Sequence, residues 1–147
     1  MEKKRKTDKA AILIKKAALE FEKISNPILA EYALTASQYR VLKYLYTQPN
    51  ETARIVDIEK ECSITHPTAL GLLDNLSRKG FIVKIVNPLD ARSKVISLTD
   101  RAKEMQQELE EVGDQLEKKL TANLTEKERQ QLIFLLQKML ENNDEQL

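Results

Sequence analysis

Apolar residues recur at helical spacing over most of the chain. In residues 8–25 they return every three or four positions, which predicts an amphipathic helix capped by Thr7. Asn26-Pro27 predicts the end of this helix, because proline disfavours helical backbone at the residue before it. Thr35-Ala-Ser-Gln38 is typical of a capping box, in which each of the two end side chains accepts a backbone N–H of the other residue. It predicts a second helix, which ends at residues 48–51.

Two further short helices are followed by a change of period. The pattern predicts one helix over about Val56–Glu61 and another that begins near Thr65. The latter ends at Arg78-Lys-Gly80, since basic residues and a following glycine commonly terminate helices. Apolar residues then alternate over 81–98, on both sides of a turn at Asn87-Pro-Leu-Asp90. This alternation predicts a two-stranded β-hairpin.

The remaining residues are again helical in pattern. Thr99-Asp100 predicts the start of a long helix, whose apolar residues from Met105 to Leu120 are spaced 4, 3, 4 and 4 apart. Thr125-Glu-Lys-Glu128 is a second capping box and predicts a last helix. Three short helices followed by a hairpin are the order of a winged helix-turn-helix, here over residues 35–100. The predicted fold class is therefore mainly α with a small β-hairpin wing, and with helices on both flanks.

Composition narrows the class of protein. The 147 residues fit one domain, and 41% hydrophobic with 32% charged residues suit a folded chain with exposed helix faces. The longest apolar runs are about five residues, whereas a membrane span needs ~20. A single cysteine forms no internal disulfide. We therefore expect a cytoplasmic protein with no membrane partner.

Charge is unevenly distributed although the net charge is only +1. Residues 101–147 carry 7 basic and 11 acidic side chains, whereas residues 76–98 carry five basic side chains and one acidic. The five are Arg78, Lys79, Lys84, Arg92 and Lys94. A compact basic segment on a predicted hairpin and the helix before it favours contact with a polyanion.

Few residues could carry other chemistry. One histidine, one cysteine, no Gly-rich phosphate loop and no nucleophile elbow leave nothing to assemble for catalysis, so we expect no enzyme and no cofactor. His66 has no second ligand at metal-binding spacing, so we expect it to be solvated or to face DNA, with a pH sensor as the alternative. Cys62 is interpreted as a small core residue, with redox sensing as the alternative.

The third short helix suits the reading of DNA. A major groove about 12 Å wide admits one helix, whose N-terminal side chains face the base edges. This helix begins Thr65-His-Pro-Thr-Ala, with small and polar residues where bases would be approached. At the hairpin tip, Arg92 suits the narrow and negative minor groove. The alternative interpretation of Asp90 and Arg92 is an ion pair within the turn.

Three segments carry a more specific resemblance. They read Leu34-Thr35-x-x-Gln38-Tyr-x-Val41-Leu42, Leu73-Asp74-x-Leu76-x-x-Lys79-Gly80-Phe81 and Asn87-Pro-x-Asp90-x-Arg92-x-x-x-Ile96-x-Leu98-Thr99. Together they resemble the MarR family of transcriptional regulators, and the Asp-x-Arg wing joined to Leu-Thr is the most diagnostic part. Gly71 stands at a position where many relatives carry arginine, so the resemblance carries over no operator sequence.

The resemblance implies a homodimer in which residues 1–34 and 101–147 form the dimerisation region. Major-groove contacts carried over by position are Thr65, His66, Thr68 and Ala69, and phosphate contacts are Ser37, Gln38, Arg78, Lys84 and Lys94. Arg92 would enter the minor groove, with Asp90 bracing it. The resemblance also implies a small anionic or phenolic effector in a cavity between the dimerisation helices and the reading domain, lined by one or two tyrosines.

The expected function is therefore sequence-specific DNA binding. A homodimer would bind a pseudo-palindromic operator with half-sites about one helical turn (~34 Å) apart, more as a repressor than as an activator, and a small effector would release it. Two alternatives remain open at this point. One is a DNA binder that is indifferent to sequence, and the other is a helical adaptor whose winged region binds a protein.

Overall fold

The computed structural model describes the backbone of residues 9–87 and 90–146, and the side chains of residues 9–86 and 94–141. Its elements in chain order are α1 Ala10–Ala30, α2 Ala36–Thr47, β1 Thr52–Arg54, α3 Ile55–Cys62, α4 His66–Arg78, β2 Ile82–Asn87, β3 Asp90–Leu98, α5 Asp100–Glu104, α6 Gln106–Leu120 and α7 Glu126–Gln146. A single 3-10 turn, Pro49–Glu51, joins α2 to β1. The order confirms a mainly helical chain with a small sheet.

The first helix does not end at Asn26-Pro27, so that prediction is wrong. Helix α1 passes through Pro27 and ends at Ala30. Proline removes one helical hydrogen bond, but the next turn carries Leu29, which is fully buried, and Ile28, which packs against the same core. Burial of these side chains offsets the lost bond. Thr7 lies outside the described residues, and Lys9 occupies the N-cap position.

Three of the other helices begin at the residues that the sequence predicted, and each start has a side-chain cap. At α2, the Gln38 N–H donates to Thr35 Oγ1 at 3.2 Å and the Thr35 N–H donates to Gln38 Oε1 at 3.1 Å. The second predicted box is also present at α7, where Thr125 and Glu128 exchange the same two bonds at 2.9 and 3.2 Å. Thr65 caps α4 by accepting the Thr68 N–H.

The sheet has three strands rather than the predicted two. Its order is β1-β3-β2, with both neighbouring pairs antiparallel. The additional strand, β1, pairs Ala53 with Ile96 and so attaches the chain after α2 to the hairpin. Three residues are too few for an alternating pattern to be read from the sequence, which explains why the hairpin alone was predicted.

The long helix predicted from residue 100 is divided into α5 and α6 at Met105. The Met105 N–H donates to the carbonyls of both Arg101 and Ala102, in bonds of 3.2 Å. The Tyr46 hydroxyl donates to the same Ala102 carbonyl. The Ala102 carbonyl thus accepts from a tightened turn and from a tyrosine at the point where the two helical segments meet.

The buried side chains form one cluster that joins the winged body, defined here as residues 34–98, to α1 and α6. Helix α1 supplies Leu29 and α6 supplies Leu109, Val112 and Leu116. The body supplies most of the remaining members, which include Leu42, Ile58, Leu73, Leu76, Phe81 and Ile96. The winged body is therefore anchored to the flanking helices by a shared core.

The outer parts of the flanking helices lie outside this core. Between Glu126 and Glu141 of α7 no described side chain is buried, and the same holds for residues 10–20 of α1. Large apolar residues are among those exposed: Ile12, Leu13, Ile14, Leu19, Leu132, Phe134, Leu135, Met139 and Leu140. None of the helices that the structure describes is long and apolar enough to cross a membrane.

Candidate nucleic-acid interface

Helix α4 turns one face to the core and the other to solvent. Ala69, Leu73 and Leu76 are fully buried. The residues of the opposite face are exposed, and they are Pro67, Thr68, Gly71, Asp74, Asn75 and Arg78. Because helical residues three and four apart share a face, these side chains form one continuous outward surface, here called the reading face.

Three of the four predicted base-reading residues lie at the exposed start of α4. Thr65, His66 and Thr68 are all exposed, and the Thr68 hydroxyl lies 3.0 Å from that of Thr65. His66 Nδ1 lies 3.2 Å from Glu59 Oε2, while 60% of the His66 side chain remains exposed. A helix start with exposed polar side chains is suited to approach base edges.

The prediction for Ala69 is wrong. Its side chain is fully buried against the core, because it lies one residue beyond Thr68 and therefore about 100° around the helix. The resemblance gives the position of Ala69 within α4 but not the orientation of the helix. This orientation decides which residues next to an exposed one face inward. Ala69 fixes the packing of α4 and does not reach DNA.

The prediction that Gln38 contacts a phosphate from the start of α2 is also wrong, because its N–H is bonded to Thr35 Oγ1 and the residue is buried. It is 3% exposed, and its Oε1 accepts from the Thr35 N–H at 3.1 Å and from Lys79 Nζ at 3.0 Å. Both bonds hold it inside the protein, which leaves no path to a phosphate. Ser37, its neighbour in the first turn of α2, is exposed.

Lys79 has a structural role that sequence reasoning missed. In the sequence it is only one member of the basic segment, but its Nζ donates to the Ala33 carbonyl at 2.6 Å as well as to Gln38. Ala33 has a left-handed backbone with φ of 57°, and it lies between α1 and α2. Lys79 thus ties the end of α4 to the α1–α2 junction. No sequence signal distinguishes it from a solvated lysine.

The other predicted phosphate contacts lie at the end of α4 and on the hairpin. Arg78, Lys84 and Lys94 are exposed, the first at the end of α4 and the others on β2 and β3. Lys84 Nζ lies 2.5 Å from Asp74 Oδ1, and this hydrogen bond lowers the pKa of Asp74 below its usual value. The ion pair connects the reading face to the wing and leaves the lysine partly exposed.

The tip of the wing is described only in its backbone. Strand β3 begins at Asp90, and the register with β2 is irregular between Val86 and Asn87. The side chains of Asp90 and Arg92 lie outside the described residues. Their expected contacts with the minor groove therefore remain predictions from the sequence.

The tyrosines serve the junction between the winged body and the helices behind it. The Tyr39 hydroxyl donates to the Leu109 carbonyl at 2.7 Å, and Tyr46 donates to Ala102. Burial is the main cause that raises the pKa of each to about 12. The Tyr32 hydroxyl donates to Glu108 Oε1 at 3.1 Å. These bonds place Tyr32, Tyr39 and Tyr46 in structural contacts that join α2 and the α1–α2 junction to the α5–α6 segment.

One surface cavity of about 420 Å³ lies at the corner between α6 and α7. Its lining residues include Asp114, Glu117, Lys118, Thr121 and Arg129. Arg129 is paired with Glu117 at 3.2 Å and with Glu126 at 2.9 Å, so its charge is already balanced. No tyrosine lines it, which separates it from the effector cavity predicted from the resemblance.

The part of the chain that the structure describes contains no candidate metal site and no exposed cysteine. No group of three or more His, Cys, Asp or Glu side chains that could hold a metal ion occurs there. Cys62 is buried in the core at the end of α3, and burial raises the pKa of its thiol. This agrees with the interpretation of Cys62 as a core residue, because a raised pKa disfavours the reactive thiolate.

Sequence comparison with known proteins finds relatives over most of the chain. A family model described as MarR family matches residues 34–93. The multiple antibiotic resistance protein MarR of Salmonella typhimurium is 32% identical over 120 residues, which cover 81% of this chain and 82% of that protein.

Two solved DNA complexes are similar over almost their whole length. The structure of Staphylococcus aureus MepR with DNA superposes with a TM-score of 0.81 and 29% identity, over 92% of this chain and 99% of that one. A Cys-to-Ser variant of Escherichia coli MarR with operator DNA gives a TM-score of 0.78 and 28% identity, over 88% and 92%. This chain is therefore a transcriptional regulator that belongs to the MarR family.

Proposed function

We propose that this chain is a cytoplasmic repressor that binds a pseudo-palindromic DNA operator as a homodimer. The observation that carries the proposal is the exposed start of α4, where the side chains of Thr65, His66 and Thr68 are all accessible. Arg78 is exposed at the end of the same helix, and Lys84 and Lys94 are exposed on strands β2 and β3. The polar start of the helix suits base contacts, and the exposed cations at its far end and on the hairpin suit phosphate contacts.

The homodimer follows from the apolar residues that one chain leaves exposed. Helix α7 exposes Phe134, Leu135 and Leu140 by 55–62%, and the first half of α1 exposes four more large apolar side chains. Apolar surface of this extent on two helices marks an interface. A two-fold pairing through α1 and α7 would present two reading faces to one duplex, with half-sites ~34 Å apart.

The site residues of the proposal are the predicted contacts whose side chains are exposed in the structure. Thr65, His66 and Thr68 would read bases, and Ser37, Arg78, Lys84 and Lys94 would contact phosphates. Arg92, braced by Asp90, would enter the minor groove, and this part rests on the sequence alone. A small anionic or phenolic effector would act by binding better to a dimer whose reading faces are wrongly spaced for the operator.

The first test is selection of bound sequences from a random duplex pool at about 150 mM salt, which suppresses nonspecific phosphate binding. We expect a pseudo-palindrome that is preferred over random duplex by at least ~10³-fold. Binding without a motif would favour a sequence-indifferent DNA binder. No binding would favour the adaptor interpretation, in which the winged body contacts a protein.

Replacement of Thr68 tests the reading face directly. Thr68→Ala is expected to relax the preference at one base position in each half-site, with a loss of roughly 1–3 kcal/mol in operator binding. The matched control is Lys119→Ala, which alters an exposed side chain on α6 away from the reading face. An unchanged motif in a folded Thr68→Ala variant would remove Thr68 from the base-reading residues.

A further inference from the structure

The three glycines of the chain differ in whether backbone conformation or packing requires a glycine there. Gly80 has a φ of +82°, a left-handed conformation that favours glycine. At Gly113, a Cβ atom would lie 2.5 Å from the Tyr39 hydroxyl oxygen, which is closer than atoms can approach. At Gly71, a Cβ atom would meet nothing within 4 Å. The fold of one chain therefore explains two of the glycines and leaves Gly71 unexplained.

Gly71 also lies where glycine weakens the structure. It is inside α4, and glycine in a helix interior is less stable than alanine. Its position is on the reading face, one turn from both Thr68 and Asn75, which are exposed. The buried residues Leu73 and Leu76 lie on the opposite side of the helix. The outward surface at Gly71, between Thr68 and Asn75, is called the notch below.

The notch is apolar although it faces solvent. The N–H and C=O groups of a residue inside a helix are used by the helix's own hydrogen bonds. What Gly71 presents outward is therefore its Cα hydrogens. A polar group of a base that was pressed directly against Gly71 would lose its water without gaining a hydrogen-bond partner from this residue, which is unfavourable.

The major groove offers one apolar group that matches such a surface. Among the base edges, guanine, cytosine and adenine present hydrogen-bond donors and acceptors, and thymine alone adds a C5 methyl group. A methyl group buried at the notch would lose no hydrogen bond. It would also occupy the space that a Cβ atom of residue 71 would otherwise fill.

We propose that Gly71 is a specificity-determining residue whose missing side chain admits the C5 methyl group of a thymine in each operator half-site. This inference rests on the proposed function, because it requires that α4 reads the major groove. On this inference, Gly71 weakens the free helix but contributes to recognition, because it permits close approach of α4 to the bases.

The test compares two substitutions that both favour helix. Gly71→Ala adds a methyl group to the notch, whereas Ser77→Ala, the matched control, changes an exposed residue of α4 outside the reading face. Thermal unfolding is expected to show a Tm increase of about 3 °C for Gly71→Ala and a smaller increase for Ser77→Ala. Both variants therefore stay folded when DNA binding is measured.

Operator binding is expected to move in the opposite direction for Gly71→Ala only. We expect its affinity for the selected wild-type operator to fall roughly tenfold, with affinity for random duplex unchanged and Ser77→Ala like wild type. Replacement of single thymines by deoxyuridine, which removes only the C5 methyl, should weaken wild-type binding at one position of each half-site. The same replacement should have little effect on Gly71→Ala.

Three results would overturn the inference. Unchanged or tighter operator binding by Gly71→Ala would show that the notch is not at the DNA. A loss for Gly71→Ala with no deoxyuridine-sensitive thymine in the wild type would show that no thymine methyl occupies it. A wild-type protein that selects no motif would overturn the proposed function itself, and this is seen before any variant is compared.

Discussion

The winged body and the outer parts of the terminal helices use apolar residues in opposite ways. In the body, Leu42, Ile58 and Phe81 are fully buried by residues of the same chain. In α7, the apolar side chains at 132, 135 and 139 follow helical spacing just as regularly, yet all are exposed. Periodicity alone therefore predicts an apolar face and does not tell which molecule covers it.

This difference indicates that the two regions are stabilised by different contacts, within one chain or between copies. The winged body and the parts of α1 and α6 that share its core are held by contacts within one chain. Helix α7 has local stabilisation from its capping box and from Arg129, but none of its described apolar side chains is buried within one chain. In the proposed homodimer, a second copy would cover them. Changes in α7 should therefore affect assembly and DNA binding first, and the fold of the winged body least.

The largest expected effect is on the dimer. Leu135→Glu places a charge on the apolar face of α7, where 55% of the leucine is exposed in one chain. Because a charge at a buried interface is strongly unfavourable, we expect sedimentation to show monomers and operator affinity to fall by at least ~100-fold, since two linked half-sites bind far more tightly than one.

The control for this variant is Gln137→Glu, which adds the same charge to another exposed position of α7. It should leave the protein dimeric. Circular dichroism should show that Leu135→Glu keeps most of its helix content. A dimeric Leu135→Glu protein with full operator affinity would contradict the assignment of α7 to the dimer interface.

The second prediction concerns packing behind the winged body. At Gly113 on α6, an added Cβ would lie 2.5 Å from the Tyr39 hydroxyl oxygen and 3.2 Å from Lys43 Nζ. Since Tyr39 is buried and its hydroxyl is bonded to Leu109, it has little room to move. Gly113→Ala should therefore reduce the free energy of unfolding by roughly 1–3 kcal/mol, as overpacking does.

A double substitution separates this contact from other effects of alanine. Tyr39→Phe removes the oxygen that the new Cβ would meet, so Gly113→Ala should cost less in a Tyr39→Phe background than in the wild type. Urea unfolding of the four proteins in the cycle measures the difference. Equal losses in the two backgrounds would show that the Tyr39 hydroxyl is not the group that excludes a side chain at Gly113.

The features that sequence predicted well depend on residues close together in the chain. The capping boxes at Thr35 and Thr125 and the cap at Thr65 each involve residues three positions apart, and all are present. Errors arose where distant residues decide the outcome. Helix α1 continues past Pro27 because Leu29 is buried by other elements.

The same reason explains the outcome at the candidate site. Thr65, His66 and Thr68 are exposed as their polarity suggested. Gln38 was assigned to a phosphate because its position matched the family, but Lys79, which is 41 residues away in sequence, holds it inside the protein. Motifs locate the reading helix, whereas only the packing of that helix shows which of its side chains are free.

The smallest expected effect is on the first turn of α7. Two bonds from Arg129, at 2.9 and 3.1 Å, and one from Gln130 lower the pKa of Glu126 to about 2 from an ordinary value of 4.5. A lowered pKa in the folded state favours folding above the ordinary value, and this contribution is lost as the pH falls through about 2. Because the pair is exposed, solvent and salt keep its contribution to stability small.

An NMR titration of the Glu126 carboxyl carbon tests whether this turn is built by its own residues. The midpoint should be about 2 in the wild type and should return toward 4.5 in Arg129→Gln. It should stay low in the monomeric Leu135→Glu protein, since Arg129 and the capping box belong to the same chain. A midpoint that rose on loss of the dimer would show that the partner also organises the start of α7. The partner would then stabilise α7 from residue 126 onward, and not only along its apolar face.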